Sequence, residues 1–98
     1  MEICFSSRKL ERTCLDYGKS LAQYGRRMAE LIVQRINEIS AAESVEVMVM
    51  HRIGRCHELK GNRKQQYAVD LVHPYRLVFS ITGAHPWVAC IIGIIDYH

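Results

Sequence analysis

His57, Lys60, Arg63 and Lys64 lie close together in a polar segment, Arg76 follows inside an apolar one, and the sequence closes on Asp96-Tyr97-His98. These residue types suit one chemistry in particular. Cleaving an RNA phosphodiester by attack of the neighbouring 2′-hydroxyl needs a base for that proton and an acid for the departing 5′-oxygen. It also needs cations for the charge that builds at the phosphate. Histidine suits the first two tasks because its unperturbed pKa is about 6.5. Arginine suits the third, since its planar fork grips a phosphate at two points. The scheme requires no metal and no cofactor, and none is expected. Arg76 is a lone charge among apolar or small neighbours, so it either holds a phosphate or pairs with an acid such as Asp70 or Asp96. Along an extended terminal strand Asp96 and His98 share one face and Tyr97 takes the other.

The charge distribution points the same way. The chain has 98 residues and a net charge of +3. Residues 1–50 hold seven Lys/Arg against seven Asp/Glu, whereas 51–98 hold six against three. Between 51 and 64, Arg52, Arg55, Lys60, Arg63 and Lys64 face only Glu58. A basic segment on an otherwise neutral domain suits a polyanion, because phosphate contacts give affinity independent of sequence. Arg55, Arg63 and Lys64 are the expected RNA-binding cations, with a merely solvated loop as the alternative.

Other chemistries find less support. Cys4, Cys14, Cys56 and Cys90 follow no zinc or redox spacing, and no basic start with an apolar leader precedes them. Four reduced thiols in a cytoplasmic protein are expected. His51, Cys56 and His57 lack the second ligand pair that a tetrahedral metal site needs. The apolar run 88–95 is far shorter than the roughly 20 residues that cross a bilayer.

One domain spanning 1–98 must position these groups, with nearly half of its residues hydrophobic. Residues 1–5 read as a first strand. Ser6 or Ser7 can cap a helix carrying Leu10, Cys14 and Tyr17, with Gly18 ending it. Ser20 and Gln23 form a capping-box pattern, and a helix is expected from about Ser20 to Ala42. Its apolar stripe is Leu21, Met28, Leu31, Ile32, Ile36 and Ile39, with Arg35 and other polar residues largely opposite. Residues 44–50 alternate like a strand, though Ser44 can cap a short helix.

The second half is strand-like: 55–59, then a polar turn, then a strand around Tyr67–Val72 that Pro74 breaks. Tyr75, Leu77, Phe79 and Ile81 follow on one face, with Arg76, Val78 and Ser80 on the other, and Val88–Ile95 is the last strand. Helices first and strands afterwards give an α+β domain: two N-terminal helices packed on one face of a mostly antiparallel four- to five-stranded sheet.

His57-Glu58-Leu59-Lys60-Gly61-Asn62-Arg63, Tyr75-Arg76 within its strand, and the closing Asp96-Tyr97-His98 together resemble the HigB-like killer proteins of the RelE toxin superfamily. Those carry an HxLKGxR turn, a WR or YR strand and a final DYH. The resemblance covers about residues 28–98 and implies a RelE-like fold and a ribosome-dependent mRNA endoribonuclease. It implies a HigA-like helix-turn-helix antitoxin as partner, with operator DNA reached only through that complex. Carried over by motif, His57, Lys60, Arg76, Asp96, Tyr97 and His98 are the implied catalytic residues. Relatives place a short helix near 44–49, which favours the helical reading there. The alternative is a non-catalytic relative: a gyrase poison of ParE type, which lacks the DYH ending, or a degenerate antitoxin-binding module.

Overall fold

A computed structural model describes residues 1–62, 65–83 and 86–97. Among them the chain runs β1 (Glu2–Phe5), α1 (Arg8–Leu15), α2 (Tyr17–Tyr24), α3 (Arg26–Ala41) and α4 (Val45–Met50). A 3-10 turn (Ile53–Arg55) leads to β2 (His57–Glu58), β3 (Gln66–Asp70), β4 (Tyr75–Thr82) and β5 (Val88–Asp96). The α+β architecture is the expected one, but the helical layer is divided more finely than local signals suggested.

Short polar side chains explain the divisions. The Ser7 hydroxyl accepts from the Leu10 N–H at 3.1 Å and starts α1. Asp16 ends that helix, its own N–H donating to the Arg12 carbonyl, and its carboxylate accepts from Lys19 N–H to start α2. Gly18 therefore sits inside α2 instead of closing a helix, and Ser20 is a buried α2 residue whose hydroxyl donates to the Tyr17 carbonyl. Gly25, at φ 90°, separates α2 from α3, a backbone geometry that favours glycine. Leu21 consequently leaves the stripe and is exposed, while Met28, Leu31, Ile32, Ile36 and Ile39 are buried as the periodicity required. Ser44 caps α4 through the Val47 N–H, and Val45 and Met48 of that helix are buried, so the helical reading of this segment holds over the alternation.

The sheet order is β1-β5-β4-β3-β2, with β1 parallel to β5 and the other pairs antiparallel. Tyr67 and Val69 pair with Phe79 and Leu77, and with Ile81, Ile91 and Ala89 they meet the helices in one core. The second strand is shorter than the expected 55–59: only His57 and Glu58 pair, with Ala68 and Tyr67. Arg55 belongs to the turn before it.

One irregularity decides what the end of β5 presents. Val78 pairs with Gly93 but Phe79 pairs with Ile91, so Ile92 is an extra residue in β5. A bulge of this kind reverses the alternation beyond it. Ile91 and Ile94 consequently both fall on the helix side, and Ile95 joins Arg76 on the open side. Without the bulge, Tyr97 would share a face with Ile91 and Ala89.

Candidate active site

The open face of the sheet, away from the helices, carries Asp70 opposite Arg76 on β3 and β4. Arg76 Nε lies 3.6 Å from Asp70 Oδ1, and Arg55 Nε reaches Asp70 Oδ2 at 3.3 Å. Beneath Arg76 is the ring of Tyr97, 5.0 Å from the guanidinium carbon to the centroid, a cation–π arrangement. Tyr97 is held there by its N–H, which donates to the Pro74 carbonyl at 3.0 Å. Two guanidiniums, one carboxylate and an aromatic ring thus border an open cavity of about 250 Å³, with His73 and Pro74 on its rim. Arg55 and Arg76 outweigh Asp70 in charge, so the cavity favours an anion.

Two features fix Arg55 and Asp70. Arg52, Gly54 and Arg55 all adopt left-handed backbone, with φ 53°, 59° and 56°. For the two arginines this conformation costs roughly 1–2 kcal/mol each, so the surrounding structure must impose it. Arg35 on α3 ties the end of β3 to the helical layer beside this turn. Its Nε donates to the Asp70 carbonyl at 2.6 Å and its Nη1 binds Glu38 at 2.9 Å. Gly54 lies directly against it: a Cβ there would come within 2.9 Å of Arg35 Nε. Arg35 was expected on the solvated side of its helix, yet it is largely buried and joins the helical layer to the end of β3 and the turn that bears Arg55.

The structure brings some of the expected residues together and leaves others apart. Arg55, Arg76 and Tyr97 share the cavity. His57 is on the same open face, since it pairs with Ala68, and its Nδ1 lies 3.0 Å from the Arg55 carbonyl. Lys60 is exposed beside a separate shallow cleft with Glu58, Leu59 and Gln65. Asp96 pairs with Tyr75, which places it on the helix side, away from Arg76. That separates Asp96 from Tyr97, as an extended strand requires. Arg63, Lys64 and His98 lie outside the described residues. Sequence reasoning treated Asp70 only as a possible partner and passed over His73. The signal for Asp70 is its register with Arg76; His73 had only its place beside Pro74.

Among the described residues, no three His, Cys, Asp or Glu side chains gather into a metal-binding group, and no helix is long and apolar enough to cross a membrane.

No protein-family model and no curated protein sequence matches the chain. Solved structures do. A YoeB/ParE toxin from Agrobacterium tumefaciens superposes with a TM-score of 0.66 at 17% identity, covering all of both chains. A chain of the YoeB–YefM complex from Staphylococcus aureus gives 0.63 at 26% identity, covering 100% of this chain and 97% of that one. The YoeB dimer from the same organism gives 0.55 at 25% identity. The chain has the fold of the YoeB and ParE toxins. These neighbours carry the YoeB and ParE names, where the motifs resembled the HigB-like branch of the same superfamily.

Proposed function

We propose that this chain is the toxin of a toxin–antitoxin pair and cuts mRNA on the ribosome, without a metal ion. The observation that carries the reading is the convergence of Arg55 and Arg76 on one cavity floored by Tyr97. Asp70 engages both arginines through Nε, which orients each fork while the terminal nitrogens remain suited to two-point phosphate binding. Tyr97 steadies Arg76 and offers a ring edge to a nucleobase. His57 and His98 are the candidate proton carriers, with Lys60, Arg63 and Lys64 drawing the RNA backbone toward the open face. Asp96 pairs with Tyr75 on the other side of β5, which sets it apart from the Arg76 cavity.

The toxin would work in the cytoplasm, where ribosomes and mRNA are, and an antitoxin would silence it. The HigB-like motifs imply a helix-turn-helix antitoxin of HigA type, which would also be its only route to operator DNA. The Staphylococcus aureus neighbour is in complex with YefM, so a YefM-type partner is the competing expectation.

A non-catalytic reading has one observation in its favour: Asp70 already balances part of the arginine charge, as a purely structural cluster would. It covers a gyrase poison and a module that only binds antitoxin. Induction in a bacterium separates the three. Rapid arrest of translation with new mRNA 5′-ends is the expected result. DNA damage with intact mRNA supports the gyrase reading, and no growth effect supports the binding module.

A further inference from the structure

Cys4 and Cys90 are direct partners in the parallel pairing of β1 with β5. Both are free thiols on the open face, Cys4 exposed and Cys90 partly so, whereas Cys14 and Cys56 are buried in the core. Neighbouring strands run about 4.8 Å apart, inside the range of about 4.4–6.8 Å that a disulfide spans between Cα atoms. Their side chains already meet: the Cys4 thiol is pushed up to about 11, first by its hydrogen bond to Cys90 and then by burial and the charge of that sulfur. β1 is a four-residue edge strand, so it can make the small approach that bond formation requires.

We infer that Cys4 and Cys90 form an oxidisable dithiol whose disulfide clamps the edge strand β1 to β5. The oxidant is a hydroperoxide. The Cys90 sulfur attacks its outer oxygen, the O–O bond breaks, the thiol proton goes to the leaving oxygen, and Cys90 becomes a sulfenic acid as the reduced peroxide leaves as alcohol or water. The Cys4 sulfur then displaces the hydroxyl from Cys90, and its proton departs with that hydroxyl as water. Two thiols are oxidised and one hydroperoxide is reduced. Because the bridge joins the start of the chain to its last strand, it closes a loop of most of the molecule, the case in which a cross-link restricts the unfolded chain most. The clamp is independent of the RNA-cleavage reading and would operate whether or not the protein is a nuclease.

The test is to treat the folded protein with hydrogen peroxide at low protein concentration and map its peptides without reduction. A Cys4–Cys90 peptide pair is expected, with a loss of two hydrogens from the monomer. Thiol titration in denaturant should fall from four groups to two, with Cys14 and Cys56 remaining. Cys4→Ser should stop at an oxidised Cys90 that a small dithiol reverses. The bridged monomer should gain at least about tenfold in its folded-to-unfolded ratio in urea, lost on reduction. Disulfide-linked dimers, Cys90 over-oxidised without a bridge, or no reaction would overturn the pairing. A bridge that leaves the urea midpoint unmoved would overturn the clamp.

Discussion

Asp70 and Arg76 face each other across β3 and β4, and the carboxylate that lies 3.6 Å from Arg76 also lies 3.3 Å from Arg55. Arg55 is mostly exposed and Arg76 about one third so. Ion pairs that open to water contribute at most about 1 kcal/mol, so fold stability is a weak reason for two arginines to meet one acid. Orientation is a better one. Arg35 anchors the Asp70 backbone from behind, and the Asp70 carboxylate lies within ion-pair reach of both guanidiniums.

Asp70→Asn should therefore separate binding from turnover. Removing the negative charge strengthens attraction for RNA, while the arginines lose their common anchor. Affinity for RNA is expected to rise and single-turnover cleavage to fall by about tenfold or more, since misplacing one catalytic contact is costly. Filter binding alongside single-turnover cleavage reads both. A parallel loss of binding and cleavage would mean that Asp70 serves the fold.

The bulge at Ile92 carries its own test. Tyr97→Phe keeps the ring under Arg76 and should retain most activity. Tyr97→Ala removes a cation–π contact of about 0.5–2 kcal/mol and should lower cleavage accordingly. Deleting Ile92 removes the extra residue but keeps Phe79 opposite Ile91 and Val78 opposite Gly93, so Tyr97 stays on the Arg76 side and the variant should cleave at close to the wild-type rate. A large loss of cleavage in a folded deletion variant would mean that the bulge shapes the site in some way other than by setting the face of Tyr97.

Much of this fold could be read from residues alone. The α3 stripe is visible because Met28, Ile32, Ile36 and Ile39 recur at helical spacing, and Arg76 stands out as a charge in an apolar strand. The divisions at Asp16 and Gly25 were harder. Gly18 and Ser20 offered competing local signals, and only three-dimensional packing decided between them. The bulge left no local mark beyond Gly93, because pairing between distant strands creates it. Arg35 looked solvated for a similar reason: the turn at Gly54 and the end of β3, both far along the chain, cover it. Of the site, Arg55, Arg76 and Tyr97 were legible by type and position, but the role of Asp70 depends on register.

The basic turn should act through charge alone. Neutralising Arg63 and Lys64 together is expected to weaken binding to single-stranded RNA or ribosomes and to reduce the salt slope by about 1.4, near 0.7 per phosphate contact. Cleavage of already bound RNA should change little. An unchanged slope in binding titrations from low to high salt would identify the turn as merely solvated.

Alkaline pH should destabilise the domain through its core thiols. Burial pushes Cys14 up to about 11 and Cys56 up to about 12, from 9.0. Above about pH 9 the unfolded chain loses these protons while the folded one keeps them, so the unfolded state binds fewer. Stability then falls by about 1.4 kcal/mol per pH unit for each thiol until its folded value is reached. Below pH 9 the two thiols contribute no slope. Urea melts between pH 8 and 10.5 should show this decline, and Cys56→Ala should lessen it to the share of Cys14; a slope unchanged in that variant would assign the decline elsewhere.

The central claim is that Arg76 holds the phosphate being cut. Cleavage of a defined mRNA on programmed ribosomes, comparing wild type with Arg76→Ala, tests it most directly. The substitution should lower the rate about 10²–10³-fold, the usual loss for one preorganised charge contact, while the unfolding midpoint shifts by no more than about 1 kcal/mol. His98→Gln, run beside it, should also fall sharply if that imidazole moves a proton. Wild-type cleavage by a folded Arg76→Ala protein would contradict the account.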